Sequence, residues 1–246
     1  MILYGRNPVK EALRGRRAGS VRDVWATAGA AREPWLVGVP VRTVGADEIE
    51  RRCGSDAHQG LCADAGPYHY ASAEELLSGE QPLLVVLDQI QDPQNLGSIC
   101  RTAECAGAAG VIIPERRAAE VTAAVCKASA GAVEHLPVAR VRNLADFLAD
   151  ARKAGCWCYG ASAADQPGSD REGAGRAPVP YDTPDYSGSG IVLVLGSEGA
   201  GLRPRVAKAC DQLIALPLLG RIESLGVSAA AAALLYEILQ SRSLRT

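Results

Sequence analysis

Aromatic side chains are scarce in this chain of 246 residues, where they make up 4% of the composition and include a single Phe. The hydrophobic cores must therefore be built mainly from Ala, Val, Leu and Ile. No apolar run approaches the roughly 20 residues that a membrane-spanning helix needs. The N-terminus has no apolar stretch followed by a small-residue cleavage site, as a signal peptide would have. We expect a cytoplasmic protein with no membrane partner.

Paired metal-binding cysteines are also missing. The eight cysteines form no CxxC pair and have no histidine at ligand spacing, so we expect no metal site. In a reducing cytosol such thiols are typically small buried hydrophobic groups. Cys156 and Cys158 flank Trp157 in a segment with the pattern of a buried strand.

The chain has no overall excess of positive charge, since its net charge is −2; charge alone therefore indicates no nucleic-acid partner. The first 22 residues nevertheless carry six basic side chains against one acidic one. Such a run is commonly the solvated face of a helix, but it also suits RNA. The candidates for RNA contact are Arg6, Arg14, Arg16 and Arg17.

The first 71 residues have the pattern of a small α/β module. Pro8 at the first helical position, capped by Asn7, predicts a helix to about Arg17. Short strands are predicted over 24–26, 41–44 and 61–63, with a short helix over 47–53. The polar residues 72–81 are typical of a linker containing a short helix.

Residues 82–246 alternate strands with helices, which predicts an open, mostly parallel α/β sheet. Leu83–Leu87 (LLVVL) and Ile191–Leu195 (IVLVL) are continuous apolar runs, typical of strands buried on both faces. Further predicted strands cover 111–113, 157–160 and 213–216, and predicted helices cover 96–106, 119–129, 143–154 and 227–241. The Pro- and Gly-rich residues 165–190 interrupt this rhythm; they suit a mobile surface loop, or alternatively an active-site lid.

Three segments directly after predicted strands carry polar or glycine-rich patterns, at the sheet edge where ligands of such folds bind. In the first, Asn95 is a helix cap or a substrate ligand, Gly97 allows close approach, and Arg101 either pairs with Glu104 or binds an anion. The second is the turn Gly196–Leu202, which matches neither common nucleotide-binding loop. The third, 217–228, leads into a helix with an apolar stripe that suits core packing and also a dimer interface. Its members are Val227, Ala231, Leu234, Leu235 and Ile238.

Taken in order, these segments resemble the three signature motifs of the SpoU/TrmH family of RNA methyltransferases. The motifs are N-x-G-x-x-x-R-T-A, L-G-S-E-G-x-G-L and L-P-x-x-G-x-x-x-S-L-x-V-S, and 127–132 (KASAGA) resembles a further family segment. The match covers roughly residues 82–241. The first 71 residues, with YGRNPVKEAL and HQGLCA, resemble the ribosomal-protein-like substrate-binding domain fused to many members, above all those that methylate a guanosine of 23S rRNA.

The resemblance implies a parallel α/β sheet with a C-terminal deep trefoil knot and a homodimer formed through the knotted domain. It also implies that S-adenosylmethionine binds to backbone groups at Gly196, Leu216 and Leu225. Transfer of its methyl group to a ribose 2′-hydroxyl would involve Arg101, with Asn95, Glu198 and Ser224 shaping the site. Arg101 is a poor base because guanidinium hardly ever deprotonates, so we expect it to orient the hydroxyl and a phosphate.

One position departs from the family pattern: Gly226 stands where the family has Asn. This change favours an alternative, a catalytically weak RNA-binding ribosome-assembly factor on the same fold. A tRNA ribose methyltransferase, or a resistance methyltransferase acting on another rRNA site, is a further alternative. An ordinary doubly wound nucleotide-binding enzyme is disfavoured, because Asp-Gln-Ile-Gln-Asp-Pro, and no glycine-rich fingerprint, follows Leu87.

Overall fold

The computed structural model describes residues 1–162, 177–222 and 224–243, which form two β-sheets with helices packed against them. The strands of the first sheet are β1 Ile2–Tyr4, β2 Asp23–Ala26, β3 Val41–Thr43 and β4 Leu61–Asp64. Their order is β1-β4-β2-β3, and helices α1 Arg6–Ala12 and α2 Ala46–Cys53 accompany them. The predicted small α/β module is confirmed.

The second sheet is entirely parallel among the described residues. Its strands are β5 Leu83–Asp88, β6 Gly110–Pro114, β7 Val138–Val141, β8 Cys156–Ser162, β9 Val179–Pro180, β10 Gly190–Gly196 and β11 Gln212–Ala215. Their order is β7-β6-β5-β10-β8-β11-β9. The helices are α3 Ala73–Leu77, α4 Pro93–Cys105, α5 Ala123–Ala128, α6 Leu144–Lys153, α7 Pro204–Ala209 and α8 Val227–Ser243. The predicted α/β class is therefore confirmed.

Helices cover both faces of this sheet, which explains the continuous apolar runs. Along β5, Leu83, Val85 and Leu87 belong to the cluster that contains the buried residues of α4 and α8. Leu84 and Val86 belong to the cluster of α6 on the other face. The predicted stripe on α8 is its set of buried residues. Because the core of the chain already covers that stripe, it cannot also form a dimer interface.

The predicted helix from Pro8 to Arg17 is wrong in its extent. Helix α1 starts at Arg6 after Gly5, so Asn7 lies inside it and is no cap, and it ends at Ala12. The chain then turns at Gly15, where a Cβ atom would lie 2.5 Å from the carbonyl oxygen of Glu134. That close approach holds the segment after the helix against the second sheet's domain.

The prediction that Arg17 contacts RNA is wrong, because its side chain is only 3% exposed. Its guanidinium is paired with Glu134, which is fully buried, through an Nε···Oε2 bond of 2.9 Å and a second, very short bond. It also lies over the Tyr68 ring, 5.3 Å from the centroid. Arg6, Arg14 and Arg16 are exposed, and Arg6 pairs with Glu33 at 2.7 Å. The buried pair joins the two sheets' domains.

Three smaller predictions also differ from the structure. Helix α5 begins only after Thr122, whose hydroxyl accepts from the backbone of Val125, so the predicted start at residue 119 is wrong. Trp157 is 51% exposed although its neighbours Cys156 and Cys158 are buried, and Cys105 is exposed. Residues 165–176 of the predicted loop lie outside the described residues. The remainder of that loop contains β9 and the buried Tyr186.

Within the described ranges, no helix has the length and apolar character to cross a membrane. The trefoil knot that the resemblance implies is not defined by strand order and stays a prediction.

The buried pair generates a stability prediction. Arg17→Ala leaves a buried carboxylate unpaired, so we expect the free energy of unfolding to fall by about 3–5 kcal/mol. The measurement is urea unfolding, with the exposed Arg14→Ala as the matched control. Replacing both partners, as in R17M/E134L, should cost much less, because neither buried charge remains. A loss for R17A no larger than that for R14A would contradict this interpretation.

Candidate active site

The candidate residues gather at the edge of the second sheet where its parallel strands end. The register places Gly196 of β10 directly beside Asp88 of β5. Strand β8 lies between β10 and β11, so the ends of β10 and β11 are separated by roughly 10 Å, which is two inter-strand spacings. Ligands of open α/β sheets bind at this edge.

The glycine-rich turn after β10 folds back on itself. Gly201 donates its N–H to the carbonyl of Ser197 at 2.9 Å. A Cβ atom on Gly196 would lie 2.2 Å from the backbone carbon of Gly201, so only glycine fits there. Gly199 and Gly201 have φ values of +80° and +66°, which glycine adopts at little cost. The exposed Glu198 lies in the middle of this turn.

Helix α4 brings the first motif to the same place. Asp92 caps the helix by accepting from the N–H of Gln94 at 2.9 Å, so the alternative that Asn95 is the cap is wrong. Asn95 instead donates from Nδ2 to Oε1 of Glu198 at 3.1 Å. Two predicted site residues that are 103 positions apart in sequence are therefore in direct contact.

Asp88 and Arg203 form a second link between these two segments, which the sequence did not predict. Asp88, only 1% exposed, accepts from Nε of Arg203 at 2.7 Å and from its backbone N–H at 2.9 Å. The interaction attaches the far end of the glycine-rich turn to the end of β5. The one signal available was an acidic residue directly after an apolar strand.

The third motif forms the loop from β11 to α8. Leu216 packs partly against the core, whereas Ser224 and Leu225 are exposed. Helix α8 packs against α4 and β10, which returns the loop's end to the first two motifs. Gly226 has a φ of +77°, and a Cβ atom there would lie 3.9 Å from Oε1 of Glu198.

Arg101 lies six residues beyond Asn95 on α4, about 9 Å along the helix axis. Its side chain is exposed and forms no hydrogen bond or ion pair with any described residue, so the predicted alternative of a pair with Glu104 is not found. Gly97 does not open the helix to a substrate. A Cβ atom there would lie 2.4 Å from Cβ of Ala128, so Gly97 permits close packing of α4 on α5.

The buried Cys100 thiol on α4 is poorly suited to nucleophilic chemistry. Burial raises the pKa of the Cys100 thiol on α4 to about 12. A thiol with so high a pKa is almost entirely protonated at neutral pH and is a poor nucleophile and metal ligand. Among residues 1–162, 177–222 and 224–243 no group of His, Cys, Asp or Glu side chains could hold a metal ion.

Comparison with known families identifies both parts of the chain. Residues 82–236 match the model described as the SpoU rRNA methylase family. Residues 2–71 match the model described as RNA 2′-O ribose methyltransferase substrate binding. The first match alone covers more than half of the chain and includes all three motifs.

Relatives agree with this assignment. The chain is 43% identical to YacO of Bacillus subtilis, assigned to the TrmH family of tRNA/rRNA methyltransferases, over 76% of this chain and 72% of that protein. It is 34% identical to a TrmH-family protein of Staphylococcus haemolyticus over 98% and 96% of the two chains. The crystal structure of an AdoMet-bound rRNA methyltransferase from Sinorhizobium meliloti superposes with a TM-score of 0.76, at 27% identity, over 97% of this chain and 86% of that one.

The residues at the sheet edge are compatible with S-adenosylmethionine. Leu218–Ile222 donate no backbone hydrogen bond to any described residue, which leaves their N–H groups available to a ligand. Leu216 follows β11 directly, Leu225 is exposed just before α8, and Glu198 places an exposed carboxylate in the turn after β10. This chain belongs to the SpoU family and is an S-adenosylmethionine-dependent RNA 2′-O-ribose methyltransferase.

Proposed function

We propose that the chain methylates the 2′-hydroxyl of a guanosine in 23S rRNA, in the cytoplasm, as a homodimer. The contact between Asn95 and Glu198 carries the proposal for the site, because it joins the first two motifs at the strand ends. The substrate-binding domain at residues 2–71 and the rRNA methyltransferase of Sinorhizobium meliloti, which resembles nearly the whole chain, support an rRNA target. A tRNA ribose is the second candidate, since the relatives' descriptions name both RNAs.

In this proposal S-adenosylmethionine supplies a methyl group made electrophilic by the positive sulfur. Backbone groups at Gly196, Leu216 and Leu225 hold it at the strand ends. The ribose hydroxyl is a weak nucleophile until its proton is withdrawn. Arg101, exposed on α4, binds the adjacent phosphate and orients the hydroxyl, whose proton passes to that phosphate or to water.

Glu198 and Ser224 shape the pocket around these groups. The carboxylate of Glu198 fixes the side-chain amide of Asn95. The ion pair between Asp88 and Arg203 fixes the turn that carries Glu198. Asp88 and Arg203 are therefore positioning residues in this proposal.

Exposed apolar side chains support the homodimer. Leu219, Ile222 and Leu225 on the loop before α8 are 99%, 76% and 53% exposed, and Tyr236 on α8 is 51% exposed. Apolar surface of this kind commonly marks a protein interface. A second subunit seated here would also cover the loop that holds the proposed cofactor-binding Leu225.

The experiment that tests the function is methyl transfer from labelled S-adenosylmethionine to unmodified 23S rRNA and to tRNA, followed by mapping of the modified ribose. A 2′-O-methylated guanosine in 23S rRNA supports the proposal, and a modified tRNA ribose supports the second candidate. Cofactor binding without transfer to either RNA would support the assembly-factor alternative, which Gly226 motivates.

Removing the charge of Asp88 should loosen the turn that carries Glu198. Because Asp88→Asn weakens two charge-assisted hydrogen bonds, we expect cofactor binding to weaken about tenfold, equivalent to about 1.4 kcal/mol. Calorimetric titration measures the dissociation constant. The control is Asp146→Asn, whose pair with Arg205 at 3.4 Å is exposed. Equal affinities for both variants would show that the Asp88–Arg203 link does not position the site.

Arg101→Lys tests whether the planar guanidinium matters. Lysine keeps the charge but loses bidentate binding of phosphate, so we expect kcat/KM for RNA to fall by about tenfold to a hundredfold. Steady-state methyl transfer measures it. Arg152→Lys, at the end of α6, is the matched control. Full turnover by R101K would exclude a bidentate role.

Gly226→Asn restores the family amide at this position. The left-handed backbone tolerates Asn, and its side chain would start near Glu198. If that amide gains one hydrogen bond worth about 1 kcal/mol, kcat should rise about fivefold. Gly226→Ala adds a Cβ atom without an amide and should not raise kcat. A lower kcat for G226N than for G226A would contradict the expectation.

A further inference from the structure

Three exposed arginines lie beside the active site, at the sheet edge formed by the ends of β6 and β7. Arg116 and Arg117 follow β6 after Glu115, and Arg142 directly follows β7. None of the three forms an ion pair or hydrogen bond with any residue that the structure describes.

Backbone hydrogen bonds fix the loop after β6 on both sides. Glu115 donates its N–H to the carbonyl of Val141 at 2.9 Å, which continues the pairing with β7. Ala119 donates its N–H to the carbonyl of Ile90 at 2.8 Å, in the loop that leads to Asn95. Arg116 and Arg117 are therefore held between the end of β7 and the first catalytic motif.

Strand order aligns the arginines with the site. Because β7, β6, β5 and β10 are neighbours in that order, Arg142, the pair Arg116 and Arg117, Asn95 and Glu198 follow one another along one edge. The edge from β7 to β5 spans roughly 10 Å, a length that a short run of nucleotides covers. Arg117 also has a φ of +59°, a backbone conformation that is costly for arginine and is typical of functional positions.

This edge is locally positive although the chain is not. Residues 115–121 and 138–142 carry four arginines against two glutamates, Glu115 and Glu120. The fourth arginine, Arg140, is already engaged: it pairs with Glu120 at 3.3 Å and lies over the Tyr70 ring. Its contacts leave Arg116, Arg117 and Arg142 as the side chains available to an external anion.

The substrate-binding domain contacts the beginning of β7 and the loop that follows β6. Ala71 pairs with Ala139 of β7, and the hydroxyl of Tyr70 accepts from the N–H of Val121 at 3.0 Å. RNA that is bound by this domain and presents a ribose to Glu198 therefore has a direct path across the ends of β7 and β6.

We propose that Arg116, Arg117 and Arg142 bind backbone phosphates of the RNA next to the nucleotide that is methylated. Guanidinium groups bind phosphate bidentately, and such contacts position an RNA without reading its sequence. The inference rests on the proposed methylation of RNA and adds the route by which the strand enters the site.

The test uses the full chain with the substitutions R116Q/R117N/R142Q. Asparagine is chosen at 117 because it tolerates a positive φ. RNA binding to an unmodified 23S rRNA transcript is measured by filter retention over a series of salt concentrations. Each lost phosphate contact lowers the slope of log K against log salt by about 0.7–0.9, so the triple variant should lose about 2–3 in slope. Its KM for RNA should rise about tenfold or more, with kcat at saturating RNA retained.

The control is Lys153→Gln, which removes an exposed positive charge at the opposite edge of the sheet, just before β8. An unchanged slope and KM in the triple variant would overturn the proposal, and so would an equal loss in K153Q. Binding of S-adenosylmethionine by the triple variant should be unchanged, which shows that it folds. Failure of the proposed function itself would be visible separately, as absence of methyl transfer by the unaltered chain.

Discussion

The parallel pairing of β5 with β10 is the constraint on which the candidate active site depends. These strands come from distant parts of the chain, yet their register places Asp88 beside Gly196. Each strand is followed directly by a segment that carries candidate site residues, so the pairing brings both segments to one edge. The contact between Asn95 and Glu198 and the link between Asp88 and Arg203 then form between neighbouring strand ends. Both strands are buried on both faces, so neither can slip without exposing the core.

The substrate-binding domain is attached to this frame by polar groups that leave little freedom. Arg17 and Glu134 form a buried ion pair at the interface between the domains. The hydroxyl of Tyr68 accepts from the N–H of Val138 and donates to the carbonyl of Val133. Separating the two buried charges would be costly in free energy, because each charge would then be buried without its partner and without water. The two domains also share one hydrophobic core, because buried residues of both belong to a single cluster.

Much of the second sheet could be predicted from the sequence, because strands buried on both faces leave long apolar runs. Strand β7 was missed, since VARV is short and contains an arginine that lies against Tyr70. Local patterns predicted that the first helix ends near Arg17, although α1 ends at Ala12, and they predicted an exposed side chain for Arg17. The partner that buries Arg17 is 117 residues away, beyond the reach of any local pattern.

In the candidate site too, local sequence patterns predicted some residues, whereas contacts between distant segments could not be predicted. Its motifs predicted Asn95 and Glu198 as site residues, but only the folded structure shows that their side chains are in contact. Arg203 carries no sequence signal of its role, because a positive residue after a glycine-rich turn is ordinary. The prediction that Gly97 allows a substrate to approach the helix was wrong for a similar reason. A glycine near the start of a helix permits close approach of a ligand or of a neighbouring helix, and here the neighbour is Ala128 of α5.

The left-handed backbone at Gly226 limits which residues can occupy this position over evolutionary time. Most side chains would strain the chain there, whereas Gly and Asn both accept that conformation readily. A lineage can therefore lose or regain the amide by exchanging these two residues without rebuilding the start of α8. An exchange between Gly and Asn therefore changes the hydrogen-bonding groups at this position, while the φ value that the backbone requires is one that both residues adopt.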